Sequence, residues 1–160
     1  MGTFYYNKGN YAEAVKYFEK ARPQIPTNID NLMNISACYY ELKDYEKAMS
    51  ATKTALEIEP NNVDLLDNAR SIAAQLNDID QAIFYLKKLL DIRPNEDDFS
   101  LLATYLYNKQ NWQELIKYAE QWYNWDKSNK IAVEYIIWAA QQTGNKQLET
   151  KYTAIKKTMP

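Results

Sequence analysis

Several residue types on which enzymes and metal sites depend are scarce or absent in this sequence. It has no histidine, which is the commonest general base and a frequent metal ligand. Cys38 is its single cysteine, so neither an intramolecular disulfide nor a zinc site of several thiolates can form. Its three glycines are far apart, which excludes a glycine-rich phosphate loop. Asp97 and Asp98 are adjacent and would diverge by about 100° on a helix, so they are not an acid/base pair. We therefore expect no catalysis, no metal and no cofactor.

Charge and hydropathy argue against two further classes of partner. The net charge of -2 gives no reason to expect binding to nucleic acid, whose binders usually carry a basic face. No apolar run approaches the roughly 20 residues that a membrane-spanning helix needs. The first ten residues, MGTFYYNKGN, lack the basic and then apolar regions of a signal peptide, which slightly favours a cytoplasmic location.

The sequence does contain an internal repeat. Pro26, Pro60 and Pro94 are separated by 34 residues each, and the residues between them repeat as well. In each copy, apolar residues recur at spacings of three and four, which predicts an amphipathic helix. In the first three copies the helix should end before the proline, whereas the fourth has Lys127 where proline is expected. The copies read GNYAEAVKYFEKA, KDYEKAMSATKTA, NDIDQAIFYLKKL and QNWQELIKYAEQW, followed by the less regular GNKQLETKYTAIKKTMP.

A second amphipathic segment lies between successive copies, so the chain alternates two kinds of helix, here called A and B. The links between them are short and polar, which predicts that paired helices run antiparallel. The predicted A helices are a partial one before the first copy and then 29–42, 63–76, 96–109 and 130–142. The predicted B helices are 11–22, 45–58, 79–92, 112–125 and 145–158.

This pattern resembles the tetratricopeptide repeat over essentially the whole chain. The motif of that family places small residues where two helices approach closely and large ones where they fill the remaining space. Arg70 in the third unit takes one of the small positions, which we expect to loosen the local helix contact. Trp112 and Trp122 fall at inward positions of the fourth unit. In the first unit the motif positions are Gly2, Tyr5, Tyr11, Ala14, Phe18, Ala21 and Pro26.

The resemblance implies an all-α fold, a right-handed superhelical array of antiparallel helix pairs with about four and a half to five repeats. We expect one array over residues 1–160. The stretch GTFYYNKGNY matches the second half of an A helix, so we expect the chain to be a piece of a longer repeat protein. The expected units are about 1–28, incomplete at its N-terminus, and then 29–62, 63–95, 96–129 and 130–160.

Tetratricopeptide arrays bind peptides or proteins in a groove lined by their A helices, and the resemblance implies a scaffold of that kind. Projecting the helical period identifies the A-helix residues that point away from helix B. The candidates for partner binding are Tyr6, Asn7, Asp30, Met33, Asn34, Tyr40, Asp64, Asp67, Ser71, Asp97, Thr104, Tyr107 and Trp138.

Aromatic residues recur among these candidates, four are aspartates, and none is lysine or arginine. Aromatic side chains often dominate binding hot spots, and carboxylates attract cations. Two structural alternatives stay open. The aspartates open their helices, where a negative charge favours the helix dipole, and the tyrosines could pack on neighbouring repeats. An acidic and aromatic groove predicts a partner segment that is neutral or basic and partly apolar.

Some members of this family hold the C-terminal carboxylate of chaperone tails with lysines, arginines and asparagines on successive A helices. Asn34 fits one such asparagine, but the basic partners are missing, so we expect no binding to acidic chaperone tails. Three alternatives remain: self-association through uncapped ends, a non-catalytic interaction region of a larger protein, and a helical-repeat RNA binder. The acidic balance argues against the last.

Overall fold

A computed structural model describes residues 1–159, and in that range all regular structure is helical. The predicted helix boundaries agree with the observed ones to within one residue. None of the described helices is both long and apolar enough to cross a membrane. One 3₁₀ turn, Arg22–Gln24, follows the second of the ten helices, which are α1 (Gly2–Asn7), α2 (Tyr11–Ala21), α3 (Ile29–Glu41), α4 (Tyr45–Ile58), α5 (Val63–Gln75), α6 (Ile79–Ile92), α7 (Glu96–Asn108), α8 (Trp112–Trp125), α9 (Lys130–Gln142) and α10 (Lys146–Thr158).

An asparagine or aspartate precedes every helix from α2 onward and caps it. The side-chain oxygen accepts a hydrogen bond from a backbone N–H three residues later, which satisfies one of the free donors at a helix start. Asn10 accepts from Glu13 at 3.2 Å, and Asn129 accepts from Ala132 at 2.8 Å. The same bond occurs at the other seven helices.

Two residues after the end of each A helix, a residue with positive φ turns the chain back into the following B helix. At the first turn Gly9 has φ of 73°, and the N–H of Asn10 donates to the carbonyl of Tyr5 at 2.9 Å. The same turn reverses the chain at each link, which explains how such short polar links can join antiparallel helices. The residues in this position are Gly9, Lys43, Asn77, Gln110 and Gly144.

The chain forms two compact units, Met1–Ile92 and Arg93–Pro160. In the first unit α1 packs on α2 through Gly2, where a Cβ atom would lie 2.8 Å from the Phe18 ring. Gly2 therefore provides the close approach that the motif predicts. The amide of the buried Asn31 donates to the backbone carbonyl of Phe18 at 3.1 Å and joins α3 to α2.

Polar side chains replace part of the apolar contact between α3 and α4. The hydroxyls of Ser36 and Thr52 are 2.7 Å apart, and Ser36 also donates to the carbonyl of Ala48 at 3.1 Å. Thr52 stands one repeat after Phe18, at a motif position that is aromatic in the first unit, and Ser36 satisfies its hydroxyl. Cys38 is fully buried, and burial raises the pKa of its thiol to about 11, which fits a small core residue and not a nucleophile.

The second unit has a bulkier core built around α8. Trp122 is 1% exposed and stacks on Phe99 at a ring-centroid distance of 6.0 Å, which confirms its predicted inward position. The hydroxyl of Tyr152 in α10 donates to Glu120 of α8 at 2.9 Å and joins successive B helices. Trp125, in contrast, is 51% exposed.

Candidate partner-binding site

Charge differs between the two kinds of helix. The A helices carry eight acidic and two basic side chains, whereas the B helices carry nine acidic and eleven basic ones. We call the side of the A helices that points away from the B helices the groove face. The excess of carboxylates on the A helices makes them the acidic elements of a chain whose net charge is only -2.

Three of the predicted aspartates are exposed and open their helices. Asp30, Asp64 and Asp97 are the second residues of α3, α5 and α7. In the first turn a carboxylate interacts favourably with the helix dipole by about 0.3–1 kcal/mol. This structural role leaves their charges on the surface, so it is compatible with the predicted role in partner binding.

Asp67 has a different environment from the other three aspartates. Its carboxylate accepts hydrogen bonds from Nε and Nη2 of Arg70 at 2.9 and 2.6 Å, one turn along α5. This ion pair compensates the charge of Asp67. Arg70 therefore adds a basic residue next to the predicted candidates, which contain none. The motif had placed Arg70 at a small core position, so this pair was not expected.

The predicted groove tyrosines share one packing arrangement. Each lies in the last turn of its A helix and contacts the first residue of the following B helix edge to face. These pairs lie within one repeat, but two of the tyrosines also contact the next repeat, as the structural alternative predicted: Tyr107 packs on Tyr135 and Trp138 of α9, and Tyr6 packs against the buried cluster that includes Ile35 and Cys38 of α3. Tyr107 is 40% exposed, and Tyr6 and Tyr40 are half-buried. The pairs are Tyr6 with Tyr11 (5.2 Å between ring centroids), Tyr40 with Tyr45 (5.3 Å) and Tyr107 with Trp112 (6.1 Å).

In the first unit, a pocket of about 310 Å³ lies between α3 and α5. It brings together two predicted residues, Tyr40 and Ser71, which stand on successive A helices. Small and polar side chains dominate its walls, so it offers space and hydrogen-bonding groups. The lining residues are Ser36, Ala37, Tyr40, Glu41, Asn68, Ser71 and Ile72.

In the second unit, a larger cleft of about 490 Å³ extends along α9. The rings of the predicted residues Tyr107 and Trp138 are 4.4 Å apart between centroids, and Trp112 meets Trp138 edge-on at 4.8 Å. Trp112 is therefore half-buried beside the groove residues, although the sequence had placed it in the core. We call this space the α9 cleft, and its walls are Tyr107, Ile131, Glu134, Tyr135, Ile137, Trp138, Gln141 and Lys156.

One cation of the α9 cleft was missed by sequence reasoning. Lys156 of α10 places its Nζ 2.7 Å from Oε1 of Glu134 in α9, and both side chains are about half exposed. Lys156 occupies the repeat position that holds Ala21 in α2, which is a small inward position of the motif. The irregular fifth copy gave no sign that a lysine there would reach the A helix.

The remaining candidates have mixed environments. Asn7 is exposed at the end of α1, and Asn34 is half-buried in α3. Met33 packs against the buried cluster that joins α3, α4 and α5, which gives it a structural role. The Thr104 hydroxyl donates to the carbonyl of Ser100 at 2.9 Å and remains exposed.

The described residues show no arrangement suited to metal binding, since in 1–159 no three or more histidine, cysteine, aspartate or glutamate residues cluster for that purpose. Asp97 and Asp98 diverge as expected. Asp98 is 7% exposed and hydrogen-bonded to the capping Asn95, whereas Asp97 faces solvent.

Several solved structures share this fold. MamA from Desulfovibrio magneticus RS-1 is 13% identical, with a TM-score of 0.64 over 98% of this chain and 89% of that one. YrrB, described as a TPR protein with an unusual peptide-binding site, is 14% identical, with a TM-score of 0.66 over 97% and 80%. A tetratricopeptide repeat protein from Parabacteroides merdae ATCC 43184 is 16% identical, with a TM-score of 0.68 over 94% and 60%. At such identities the likeness shows the fold.

Sequence comparison identifies the family directly. A search of curated proteins finds no match. Two family profiles, both described as Tetratricopeptide repeat, match residues 6–71 and 71–96, so together they span more than half of the chain. With the 34-residue period, the capped helix pairs and the close approach at Gly2, these matches show that the chain belongs to the tetratricopeptide-repeat family.

Proposed function

We propose that the chain is a non-catalytic scaffold that binds a protein or peptide segment on the groove face of its A helices. The preferred segment is neutral or basic and partly apolar. The observation that carries this proposal is the concentration of carboxylates on the A helices beside accessible aromatic side chains. YrrB, which shares the fold, is described as having a peptide-binding site, and repeat proteins of this kind commonly use such surfaces for recognition.

The two properties of the groove face favour different parts of a partner. The exposed carboxylates of Asp30, Asp64 and Asp97 attract cations over a screening length of about 8 Å at physiological salt. Charges of this kind act mainly on association rate and selectivity. The rings of Tyr107 and Trp138 offer the apolar area that anchors a side chain.

The same charge pattern makes an acidic tail a poor ligand. Asn34 is followed one repeat later by Asn68, and Asp67 next to it is paired with Arg70. A carboxylate clamp needs free cations on the groove face, and Arg70 is already neutralised. We therefore propose that the chain does not bind acidic chaperone tails.

Fluorescence anisotropy with three labelled peptides tests the proposal. The peptides alternate leucine with arginine, with serine or with glutamate, and so differ in charge at equal apolar content. We expect the arginine peptide to bind most tightly and the glutamate peptide most weakly, with the difference shrinking as salt is raised. Equal or tighter binding of the glutamate peptide, or no binding of any peptide, would contradict the proposal.

A second candidate function, self-association, is favoured by one exposed apolar surface. Met1, Phe4 and Tyr17 are 75%, 57% and 38% exposed. The residues one repeat later in the chain pack in the core of the first unit, which supports the view that this surface suits contact with another helix pair. Those residues are Ile35, Cys38 and Ala51, which are exposed by 0%, 0% and 2%.

The face of α10 that matches the inward face of α2 in the repeat is polar. The apolar surface of α1 and α2 therefore suits a second copy of itself better than it suits α10, which favours contact between like surfaces over a head-to-tail contact. Glu149, Thr153 and Lys156 stand where α2 has alanine, phenylalanine and alanine. Sedimentation at rising protein concentration tests this candidate. We expect dimers in the wild type and fewer in Phe4→Ser, and a monomer at all concentrations would exclude self-association by this surface.

A further inference from the structure

The α9 cleft combines aromatic walls with a single carboxylate. Tyr135 lies in the same cluster as Tyr107, with ring centroids 6.3 Å apart, and Trp138 lies 4.4 Å from Tyr107. Ile131, 51% exposed, adds an aliphatic wall. Glu134 is the only acidic side chain that lines the cleft in the described part of the chain. Aromatic faces beside a carboxylate form an environment that suits a cation with an apolar stem.

The chain itself shows that this cleft can hold a cation. The ammonium of Lys156 lies on Glu134 at 2.7 Å, and Lys156 also lines the cleft. Both side chains are about half exposed, so their ion pair is of the weak surface kind and contributes at most about 1 kcal/mol. An incoming cation can therefore displace Lys156 at little cost.

We propose that the α9 cleft binds an arginine side chain of the partner segment, with its guanidinium on the Glu134 carboxylate and its stem on Trp138 and Tyr135. This inference rests on the proposed function, since it names the anchor residue of the bound segment. In the bound state Lys156 moves off Glu134 into solvent. The net charge of the site is then unchanged, because one cation replaces another.

Arginine fits this site better than the two nearest alternatives. Its planar guanidinium can bind a carboxylate through two parallel hydrogen bonds and stack on an aromatic face, whereas an ammonium acts as a strongly hydrated point charge. A carboxylate could pair with Lys156, but it would lie beside Glu134 and be repelled by it. The negative charge of Glu134 beside the aromatic walls thus favours a cationic ligand over an anionic one.

A small probe isolates this site from the rest of the groove face. N-acetyl-arginine amide is titrated into the protein while the indole N–H signals of the tryptophans are followed by NMR. N-acetyl-citrulline amide, which has nearly the same shape and no charge, is the matched neutral probe. The signal of Trp138, assigned with Trp138→Phe, should move with the arginine probe and much less with the citrulline probe. The buried Trp122 and the distant Trp125 serve as internal references.

Two substitutions with opposite effects complete the test. Glu134→Gln should weaken binding of the arginine probe by about two- to fivefold, and Lys156→Met should strengthen it by a similar factor, the range expected for an exposed ion pair. Lys157→Met, an exposed lysine on the same helix, is the control and should match the wild type. The opposite signs cannot both result from impaired folding.

The outcomes separate this inference from the proposed function. Equal shifts with both probes, no shift with either, or an unchanged affinity in Glu134→Gln would overturn the arginine assignment. If that happens while the leucine–arginine peptide still binds the protein, the scaffold proposal stands alone. If the arginine probe binds as expected but no peptide binds, the scaffold proposal fails and the cleft is a small-cation site only.

Discussion

At the scale of single residues, one backbone conformation recurs in all five turns from helix A to helix B. Gly9 and Gly144 adopt it without steric cost, but Lys43 and Gln110 have φ of 62° and 55°. A left-handed conformation costs a residue with a Cβ atom about 1–2 kcal/mol. Lys43 and Gln110 therefore retain strain that glycine would relieve, whereas Asn77, with φ of 55°, is of a residue type that adopts this conformation more readily.

Replacing Lys43 by glycine should stabilise the first unit. Glycine makes the unfolded chain more flexible, which costs about 0.4–1 kcal/mol of stability, but the relieved strain is larger. The free energy of unfolding should therefore rise by about 0.5–1 kcal/mol. Urea unfolding measures the change. Gly9→Ala is the reciprocal control: no heavy atom lies within 4 Å of the added Cβ, so its expected loss of about 1 kcal/mol reports φ alone. A stability decrease in Lys43→Gly would refute this explanation of the turn.

Of the two ion pairs beside the candidate residues, only the one within a single helix was predictable. Asp67 and Arg70 are three residues apart, a spacing at which side chains of one helix meet, and assigning Arg70 to the core obscured a pair that the spacing alone indicates. Lys156 and Glu134 lie on different helices. Their contact depends on how α10 packs on α9, which the sequence pattern does not specify.

At the scale of elements, helix caps determine where each element starts. Asn129 is 8% exposed and caps α9, and its amide also lies 3.4 Å from Glu96 of α7. It therefore contributes to two helices of the second unit, whereas the exposed cap Asn111 serves α8 and lies near Glu114 within the same first turn.

Alanine substitution should distinguish these two caps. We expect Asn129→Ala to lower the free energy of unfolding by about 1–2 kcal/mol and Asn111→Ala by about 0.5–1 kcal/mol. When a buried cap is removed, the backbone N–H that it satisfied has no water to take its place as acceptor. Thermal and urea unfolding of both variants provide the comparison. Equal losses would show that burial of Asn129 adds nothing to its role as a cap.

The elements themselves were predictable because the repeat presents the same pattern five times. Successive copies agree on the apolar positions and on the polar breaks, so the observed boundaries differ by no more than one residue. The aromatic pairs, such as Tyr40 with Tyr45, were not predicted. Their partners are five residues apart across a turn, and neither helical period nor strand alternation predicts a contact at that spacing.

At the scale of the whole molecule, alkaline pH should destabilise the fold. Burial raises the pKa of the Cys38 thiol from 9.0 to about 11 and raises the pKa of Tyr152 above its ordinary value of 10.0, with the Glu120 carboxylate adding to the shift. The folded chain thus retains protons that the unfolded chain releases. These two groups therefore do not lower the free energy of unfolding below about pH 9, and they lower it increasingly as the pH rises beyond that value.

Urea unfolding at a series of pH values between 8 and 11 tests this linkage. Tyr152→Phe removes one of the buried ionisable groups, so its stability should decline less steeply above pH 10 than that of the wild type. Its stability at neutral pH should also be lower by about 0.5–1.5 kcal/mol, because the hydrogen bond to Glu120 is lost. A decline as steep as in the wild type would exclude Tyr152 as a source of the pH dependence.

The central claim is that the carboxylates of the groove face select the partner, and one comparison tests it most directly. The triple variant Asp30→Asn, Asp64→Asn and Asp97→Asn removes three exposed charges from A helices, and Glu46→Gln, Glu57→Gln and Asp91→Asn removes three exposed charges from B helices. The measurement is the dissociation constant of the leucine–arginine peptide at low and at physiological salt. We predict that the A-helix variant binds roughly three- to tenfold more weakly at low salt, since each exposed charge pair contributes about 0.2–1 kcal/mol, and that the B-helix variant binds like the wild type. Equal affinity of the A-helix variant and the wild type would contradict the claim.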